Sequence, residues 1–284
     1  MTVHMKLRAT LDLPIEAESI TPSSFARRSL HEIRDMPVIQ GNSIHHLSEF
    51  FDIDGTAGPT AKETEILLSG NLNQVKMIGK GMDGGRIKIE GNAGMHLGAN
   101  MKSGRIHVIG SVGSWTAAEM AGGNIQIEGD ADHNLCSAYR GSKTGMTGGR
   151  VYVKGNVASE LASHMCRGFI VIGGDIGPLA AARMMGGTII LCGNVDERIG
   201  VEATRGLIIC IGTVKSILPT YRLNDTANNE FIGYYLRYLK SKRPDFLDDN
   251  ISTKEQWTKF IGDFSEDNPR LEIFLQTKTN KHMS

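Results

Sequence analysis

The chain has 284 residues, with 31 lysines and arginines against 31 aspartates and glutamates, so its formal net charge is zero. This balance gives no signal for a nucleic-acid-binding protein. The sequence has no apolar stretch of about 18 residues and no charged segment followed by an apolar run, which predicts a cytoplasmic protein without a membrane span.

Residues 1–62 do not share the repeat that dominates the chain, and we expect them to form a small α/β cap. Residues 7–13 alternate between apolar and polar side chains, which is typical of a strand. Thr21 and Pro22 mark a helix start, and the helix is expected to run to about Arg34. A stack of strands needs such a cap because its end would otherwise be exposed.

Residues 63–218 contain a repeat of 19 residues, interrupted by one step of 26 residues. Each full copy has a first glycine and a second glycine six residues later. These glycines are Gly85 and Gly91, Gly104 and Gly110, Gly123 and Gly129, Gly149 and Gly155, Gly168 and Gly174, Gly187 and Gly193, and Gly206 and Gly212. A constant short period predicts a solenoid whose units bury their apolar faces against one another.

Apolar, mostly β-branched residues follow the first glycine by two and by four positions, as Ile87 and Ile89 do after Gly85. This alternation predicts a short strand with one face inward. A hairpin partner does not fit within one unit, so the strands should stack in parallel about 4.8 Å apart. The predicted fold is mainly β: a right-handed parallel β-helix of about seven to eight coils, with the N-terminal cap and a helical C-terminal segment over residues 219–284.

Methionines form a further column, three residues before the first glycine. They are Met82, Met101, Met120, Met146, Met165 and Met184, with Ala203 in the last copy. We expect them to fill the interior, because an unbranched thioether adapts to uneven space. A metal-binding methionine group is the alternative, but its members would be spread along the whole rod.

Outward-facing positions change character along the chain. The early copies carry a basic track, namely Arg86, Lys88, Arg105, Arg150 and Lys154. This track is either a solvated face or a site for an anion or an acidic partner. The later copies carry apolar residues, including Phe169, Val171, Ile190, Leu207 and Ile209. Such a stripe should not face water, so either the C-terminal segment or another protein chain is expected to cover it.

The step of 26 residues inserts a loop within residues 132–145. An insertion into a solenoid must bulge outward. Tyr139 and Arg140 on this loop are candidate interface anchors, since tyrosine and arginine are enriched at interface hot spots. A merely tolerated loop is the other interpretation.

After residue 218 the pattern becomes helical, with apolar and aromatic residues that suit packing on the apolar stripe. They are Phe231, Tyr234, Tyr235, Leu236, Tyr238 and Leu239. Residues 244–284 are expected to form a polar, partly helical tail.

No catalytic or metal-binding signature is recognisable in the sequence. The four cysteines, Cys136, Cys166, Cys192 and Cys210, form no C-x-x-C pair, and we expect ordinary reduced thiols. The histidines lie scattered without a paired carboxylate, and no nucleophile–base pair is evident. We therefore predict no catalytic residue and no bound metal in this chain.

The phased units GGRIKIEGNAG, GGNIQIEGDAD and GGTIILCGNVD resemble the Gly-x-x-Gly-x-x-x-Gly β-helix at the C-terminus of the large chain of glutamate synthase. They are even more similar to the gamma (C) subunits of formylmethanofuran dehydrogenase and of the related bacterial formyltransferase/hydrolase complex. The resemblance covers about residues 10–240 and includes AYRGSKTGMTGG and LPTYRL. The tail beyond residue 244 is longer than this family leads us to expect.

This resemblance implies a scaffold in an enzyme complex of one-carbon metabolism. The implied partners are an amidohydrolase-like protein, a protein related to molybdopterin enzymes, and a formyltransferase. The implied carrier is methanofuran or, in the bacterial form, methylofuran with a polyglutamate tail. The bacterial complex transfers formyl groups and hydrolyses them to formate. In the archaeal form, the molybdopterin-related partner holds a molybdenum or tungsten pterin and iron–sulfur proteins join. The LPTYRL segment and the following helix favour the bacterial form.

Two other functions compete with this one. A free-standing binding module of glutamate-synthase type would serve glutamate or amide metabolism. A hexapeptide acyltransferase would need a period of six residues, which the observed period of 19 contradicts.

Overall fold

The computed structural model describes residues 1–228, 230–247, 251–252 and 254–283. Within them, one large sheet has thirteen strands and a small sheet has four. The large sheet contains β1 (Thr2–Leu7), β5 (Phe51–Gly55), β6 (Glu65–Ser69), β8 (Asp83–Glu90), β9 (Ser103–Val108), β10 (Asn124–Ile127), β11 (Arg150–Val153), β12 (Phe169–Ile172), β13 (Thr188–Leu191), β14 (Arg205–Cys210), β15 (Arg222–Asn228), β16 (Gln256–Gly262) and β17 (Arg270–Gln276).

The remaining elements flank this sheet. The small sheet contains β2 (Ile15–Glu16), β3 (Pro37–Gln40), β4 (Ser43–His46) and β7 (Val75–Lys76). The α-helices are α1 (Pro22–Phe25), α2 (Leu30–Arg34), α3 (Leu47–Phe50) and α4 (Glu230–Lys242), and 3₁₀ turns cover Ala61–Glu63, Pro244–Phe246 and Lys281–Met283. None of these helices is long and apolar enough to cross a membrane.

The repeat builds the centre of the large sheet, where β6 and β8 to β14 lie side by side in parallel. Their registers align the same repeat position on every strand, so Ile87 stands beside Ile106 and Ile106 beside Ile125. Both apolar columns predicted from the sequence point inward and are buried. The predicted parallel stacking of the repeat strands is therefore confirmed.

A second parallel ladder runs along the same repeats. It consists of single-residue bridges that join one residue of each copy to the next, from Leu72 and Ala93 to Val195 and Val214. Turns between the two ladders are also bonded from copy to copy, as where the Ala117 N–H donates to the Leu97 carbonyl over 2.8 Å. The large sheet itself is open, so a closed β-helix stays a prediction.

Asparagine side chains tie the copies together after the second glycine. The Asn92 Oδ1 accepts the Ser111 N–H over 2.8 Å, and the Asn156 Oδ1 accepts the Asp175 N–H over 2.8 Å. The Asn194 Oδ1 likewise accepts the Thr213 N–H over 3.2 Å. These bonds satisfy backbone donors that the short strands leave unpaired.

The methionine column fills the interior as predicted, and all six methionines are fully buried. The terminal methyl group of each of these six methionines lies close to the first glycine of the next copy. At Gly187, where φ is +101°, an added Cβ would stand 2.5 Å from the Met165 Cε and 3.2 Å from the Gly168 carbonyl oxygen. Only glycine suits both this conformation and this approach.

The N-terminal region places β1 and β5 at one end of the large sheet, and its elements differ from the prediction. The strand is β1 rather than residues 7–13, and it lies parallel to β6 and antiparallel to β5. Thr21 does cap a helix, because its side chain accepts the Ser24 N–H. The expected single helix is divided into α1 and α2, since Arg27 adopts a left-handed conformation with φ 65°.

The expectation of a helical C-terminal segment is wrong in part. Only α4 is a long helix among the described residues there, and β15, β16 and β17 join the large sheet. Strand β17 lies parallel to β14 and continues its inward column, with Ile273 beside Ile208. The C-terminal segment therefore adds a last rung to the stack without using the glycine repeat.

Candidate functional site

The outer face of strands β8 to β11 carries the basic residues that the sequence singled out. The registers place Arg86 beside Arg105, then Asn124 beside Arg105, and Arg150 beside Asn124. Arg86, Arg105 and Arg150 thus form one line along the stack, which we call the arginine column. All three side chains are exposed.

The five predicted basic residues fall into two groups. Lys88 lies 2.9 Å from the Glu90 carboxylate, and Lys154 lies 3.9 Å from that of Glu128. By contrast, no residue of the arginine column forms an ion pair with a carboxylate anywhere in the described part of the chain. Like charges on neighbouring strands destabilise a sheet, so these unpaired arginines suit an anionic ligand or partner better than a purely structural role.

Beside the arginine column lies a histidine–carboxylate pair that was not predicted from the sequence. The His107 Nε2 is 2.9 Å from the Glu128 Oε1, and the Gln126 amide also donates to that oxygen. Burial alone would raise the pKa of Glu128, but the hydrogen bonds from His107 and Gln126 outweigh it and lower that pKa. The pair is distant in sequence, and only the strand register, with His107 beside Gln126, reveals it.

Two shallow clefts meet at the first two members of the arginine column. The smaller has a volume of about 250 Å³ and is lined by Glu65, Arg86, Ile87, Lys88, Arg105 and His107. The larger has a volume of about 420 Å³ and shares Arg86 and Arg105 with the smaller one. Their positive lining and small size fit an oxyanion better than an extended apolar ligand.

The apolar stripe is covered by the chain's own C-terminal segment, which was one of the two expected covers. Val171, Ile190 and Ile209 are fully buried, and Leu207 is 8% exposed. They form one cluster with Ile232, Leu236 and Leu239 from α4 and with Phe246, Leu247 and Trp257. The prediction that these four residues contact another protein is therefore corrected. They form an interface within the chain.

Phe169 marks the border between the covered and the open halves of the outer face. Its ring stacks on Tyr235, with centroids 6.1 Å apart and planes inclined by 13°. Together with Arg150, Tyr234 and Tyr238, these two rings line a cleft of about 210 Å³. Tyr234 is 62% exposed, so this border remains accessible from outside.

The inserted loop lies against its own chain. The Tyr139 hydroxyl is 2.9 Å from the His96 Nδ1, and its ring stacks on Trp115 at 5.1 Å. Burial and the nearby Glu119 raise the pKa of Tyr139 to about 12. Tyr139 thus fastens the loop, and of the two predicted anchors only Arg140 is exposed.

All four cysteines are free thiols. Among the described residues, no group of three histidine, cysteine, aspartate or glutamate side chains is placed to hold a metal ion. Within the same part of the chain, no serine, threonine or cysteine is in hydrogen-bond contact with the imidazole of the His107–Glu128 pair.

Comparison with known proteins gives matches of two kinds. No protein-family model matches the chain. The C subunit of the molybdenum-containing formylmethanofuran dehydrogenase 1 of Methanosarcina barkeri is 44% identical over 90 residues, which is 32% of this chain and 30% of that protein. The C subunit of the tungsten-containing formylmethanofuran dehydrogenase 2 of Methanothermobacter thermautotrophicus is 37% identical over 87 residues, or 31% and 32% of the two chains. The chain thus matches about a third of the length of these curated relatives.

A solved structure is similar over almost the whole chain. It is the X-ray crystal structure of the formyltransferase/hydrolase complex from Methylorubrum extorquens in complex with methylofuran, with 26% identity and a TM-score of 0.85. The match covers 96% of this chain and 98% of the other, so most of the tail beyond residue 244 lies within the shared fold. The resemblance inferred from the repeat is confirmed.

Proposed function

We propose that this chain is a non-catalytic scaffold in an enzyme complex that handles formyl groups on a carrier of the methanofuran type. The observation that carries this proposal is the likeness, over 96% of the chain, to a chain of the formyltransferase/hydrolase complex. The matches to the C subunits of formylmethanofuran dehydrogenases support membership of such a complex. The partners would be the amidohydrolase-like protein, the molybdopterin-related protein and the formyltransferase of the same complex.

The scaffold would be a right-handed parallel β-helix that acts as a stiff post between its partners. Three observations support the coil: the parallel sheet, the second ladder of single bridges, and the turn hydrogen bonds from copy to copy. A coil whose copies are hydrogen-bonded to their neighbours on several sides is stiff, because one copy cannot move without the next.

Of the two forms of the complex, we favour the one that transfers formyl groups and hydrolyses them to formate, with methylofuran as its carrier. The structural likeness over almost the full chain is to the complex named formyltransferase/hydrolase, which was crystallised with methylofuran. In the archaeal alternative, a molybdenum or tungsten pterin and iron–sulfur clusters would belong to the partner proteins.

Purification of the native assembly through a tag on this chain tests the proposal. We expect a formyltransferase to co-purify in stoichiometric amount, without molybdenum, tungsten or pterin. Stoichiometric metal and pterin would favour the archaeal form. Co-purification of a glutamate synthase instead of a formyltransferase would refute the proposal and favour the free-standing binding module.

Within this function, the predicted basic residues would contact the carrier's carboxylates or an acidic partner surface. The arginine column supports this role because its three guanidinium groups have no carboxylate partner among the described residues. We expect the double reversal Arg105→Glu and Arg150→Glu to weaken carrier retention or assembly, while Arg167→Glu, at another exposed arginine, should not. Equal retention in both variants would reject the role.

A further inference from the structure

The first two arginines of the column differ from the third in their surroundings. Arg86 and Arg105 are register partners on adjacent strands, so their Cα atoms lie about 4.8 Å apart. Arg150 is separated from Arg105 by the Asn124 rung. Positive side chains on neighbouring strands repel each other, and an anion held between them would relieve that repulsion.

The side chains that line the two clefts surround Arg86 and Arg105 with further donor groups. In the smaller cleft, Lys88 and His107 stand on the same outer face, one step further along the strands. The imidazole of His107 is held in place by Glu128, which also accepts a hydrogen bond from Gln126. The cleft therefore has two unpaired guanidinium groups, among the residues described, and one fixed imidazole on its walls.

Carboxylates also stand near the pair, and Glu65 is the register partner of Arg86 on the neighbouring strand β6. Glu65 accepts a hydrogen bond from the Thr2 hydroxyl over 3.3 Å, and Lys88 is paired with Glu90 at 2.9 Å. In the larger cleft, Asp83 stands among Lys62, Ser103 and Asn124. The larger cleft thus offers donors and acceptors for the polar remainder of a ligand.

From this geometry we infer that Arg86, Arg105 and His107 form a binding site for a single oxyanion, a carboxylate or phosphate group at the end of a polar molecule. Paired guanidinium groups bind such groups through parallel N–H···O bonds. The volume of about 250 Å³ suits one oxyanion and its first neighbouring atoms. The inference needs only the isolated full chain, so it can stand or fall independently of the proposed complex.

The test uses calorimetric titration of the full chain with two probes, inorganic phosphate and a triglutamate peptide. Saturable binding of either probe is expected, and the tighter one identifies the oxyanion as phosphate or carboxylate. Arg86→Gln and Arg105→Gln should each weaken binding by about tenfold or more, since each removes a bidentate charged partner. The matched control Arg167→Gln removes the same charge at an exposed position outside the clefts and should leave binding unchanged.

A further variant separates a built site from a merely positive surface. Arg105→Lys keeps the charge but removes the planar fork, so we expect an intermediate loss of affinity. Thermal unfolding of each variant checks that the fold is retained. The absence of saturable binding, an equal loss in Arg105→Gln and Arg167→Gln, or an unchanged affinity in Arg105→Lys would overturn the inference.

Discussion

The outer face of the large sheet has two halves built on one backbone pattern but with opposite surroundings. In the open half, on β8 to β10, the outward side chains are charged or polar and partly exposed. In the covered half, on β12 to β14, the same repeat positions hold mostly apolar residues buried beneath α4. The inward columns of both halves are equally apolar and equally buried.

This difference separates what builds the stack from what surrounds it. The inward columns and the glycines fix the path of the backbone in both halves. The outward residues decide only whether the chain covers its own face or leaves it open to a ligand or partner. A change on the outward face should therefore alter the cover or the binding, and a change in the glycines should affect both halves alike.

The largest effect on stability is expected from disrupting the packing of α4 against the covered half, which we call the cover. Leu236 on α4 is fully buried among the apolar residues of the covered half. The change Leu236→Asp would remove this packing and bury a charge, and we expect it to lower the free energy of unfolding by about 4 kcal/mol or more, or to detach the helix. Urea unfolding followed by fluorescence of the buried Trp257 measures the change.

The control is Tyr234→Asp on the same helix, where the side chain is 62% exposed. This variant should stay within about 0.5 kcal/mol of the parent chain. If both variants were equally stable, α4 would not be the cover that protects this half of the sheet.

The sequence predicts the centre of this fold well and its ends poorly. Within the repeat, the positions of Ile87 and its counterparts specify both the strand and its inward face. Strand β17 escapes the prediction because it lies beyond the last copy, where the glycine spacing that marks the other rungs is absent. There Leu271, Ile273 and Leu275 continue the inward column of the sheet through alternation alone.

The candidate site was predictable only in part, for a related reason. The basic residues are visible as outward positions of the repeat, so Arg86 and Arg105 could be named from spacing. Whether each finds a carboxylate depends on side-chain geometry across neighbouring copies. Lys88 finds one in its own strand, and His107 finds one two residues beyond its register partner, so the pairing emerges only with the structure.

The next effect in size comes from the second glycines, one in each half. An added Cβ at Gly193 would stand 2.2 Å from the Gly174 carbonyl oxygen, and one at Gly129 would stand 2.7 Å from the Gly110 carbonyl carbon. Both contacts are with backbone, which cannot yield as a side chain does. We expect Gly193→Ala and Gly129→Ala to destabilise the chain by about 2–3 kcal/mol each, measured by urea unfolding.

Gly81→Ala is the matched control, because Gly81 has φ +67° but open space around the position of a Cβ. It should cost only about 1 kcal/mol from backbone strain. A much smaller loss at Gly129 than at Gly193 would mean that the open half tolerates separation of its strands, and the two halves would then differ in their backbone as well.

Cysteine reactivity gives a finer measure of the cover. Cys192 packs at the edge of the covered cluster, and burial raises its pKa to about 12. Burial also raises the pKa of Cys166, which lies in a loop outside that cluster. At pH 8 we expect a thiol reagent to modify Cys166 first, as followed by peptide mass spectrometry.

In the Leu236→Asp variant, modification of Cys192 should accelerate strongly while that of Cys166 stays unchanged. Cys136 and Cys210 are fully buried and should react only on unfolding. Parallel acceleration at all four cysteines would indicate global unfolding, and the cover would then not be separable from the stack.

The smallest effect is expected in the open half, and its sign is informative. Arg105 is exposed, has no carboxylate partner among the described residues, and lies beside Arg86. Arg105→Gln should leave stability unchanged or raise it by up to about 0.5 kcal/mol, because it relieves repulsion between like charges. The same variant should lose oxyanion binding, so the affinity measured by titration should fall while the unfolding temperature does not. A clear loss of stability would mean that Arg105 supports the stack, and the unpaired arginines would then belong to the architecture that both halves share.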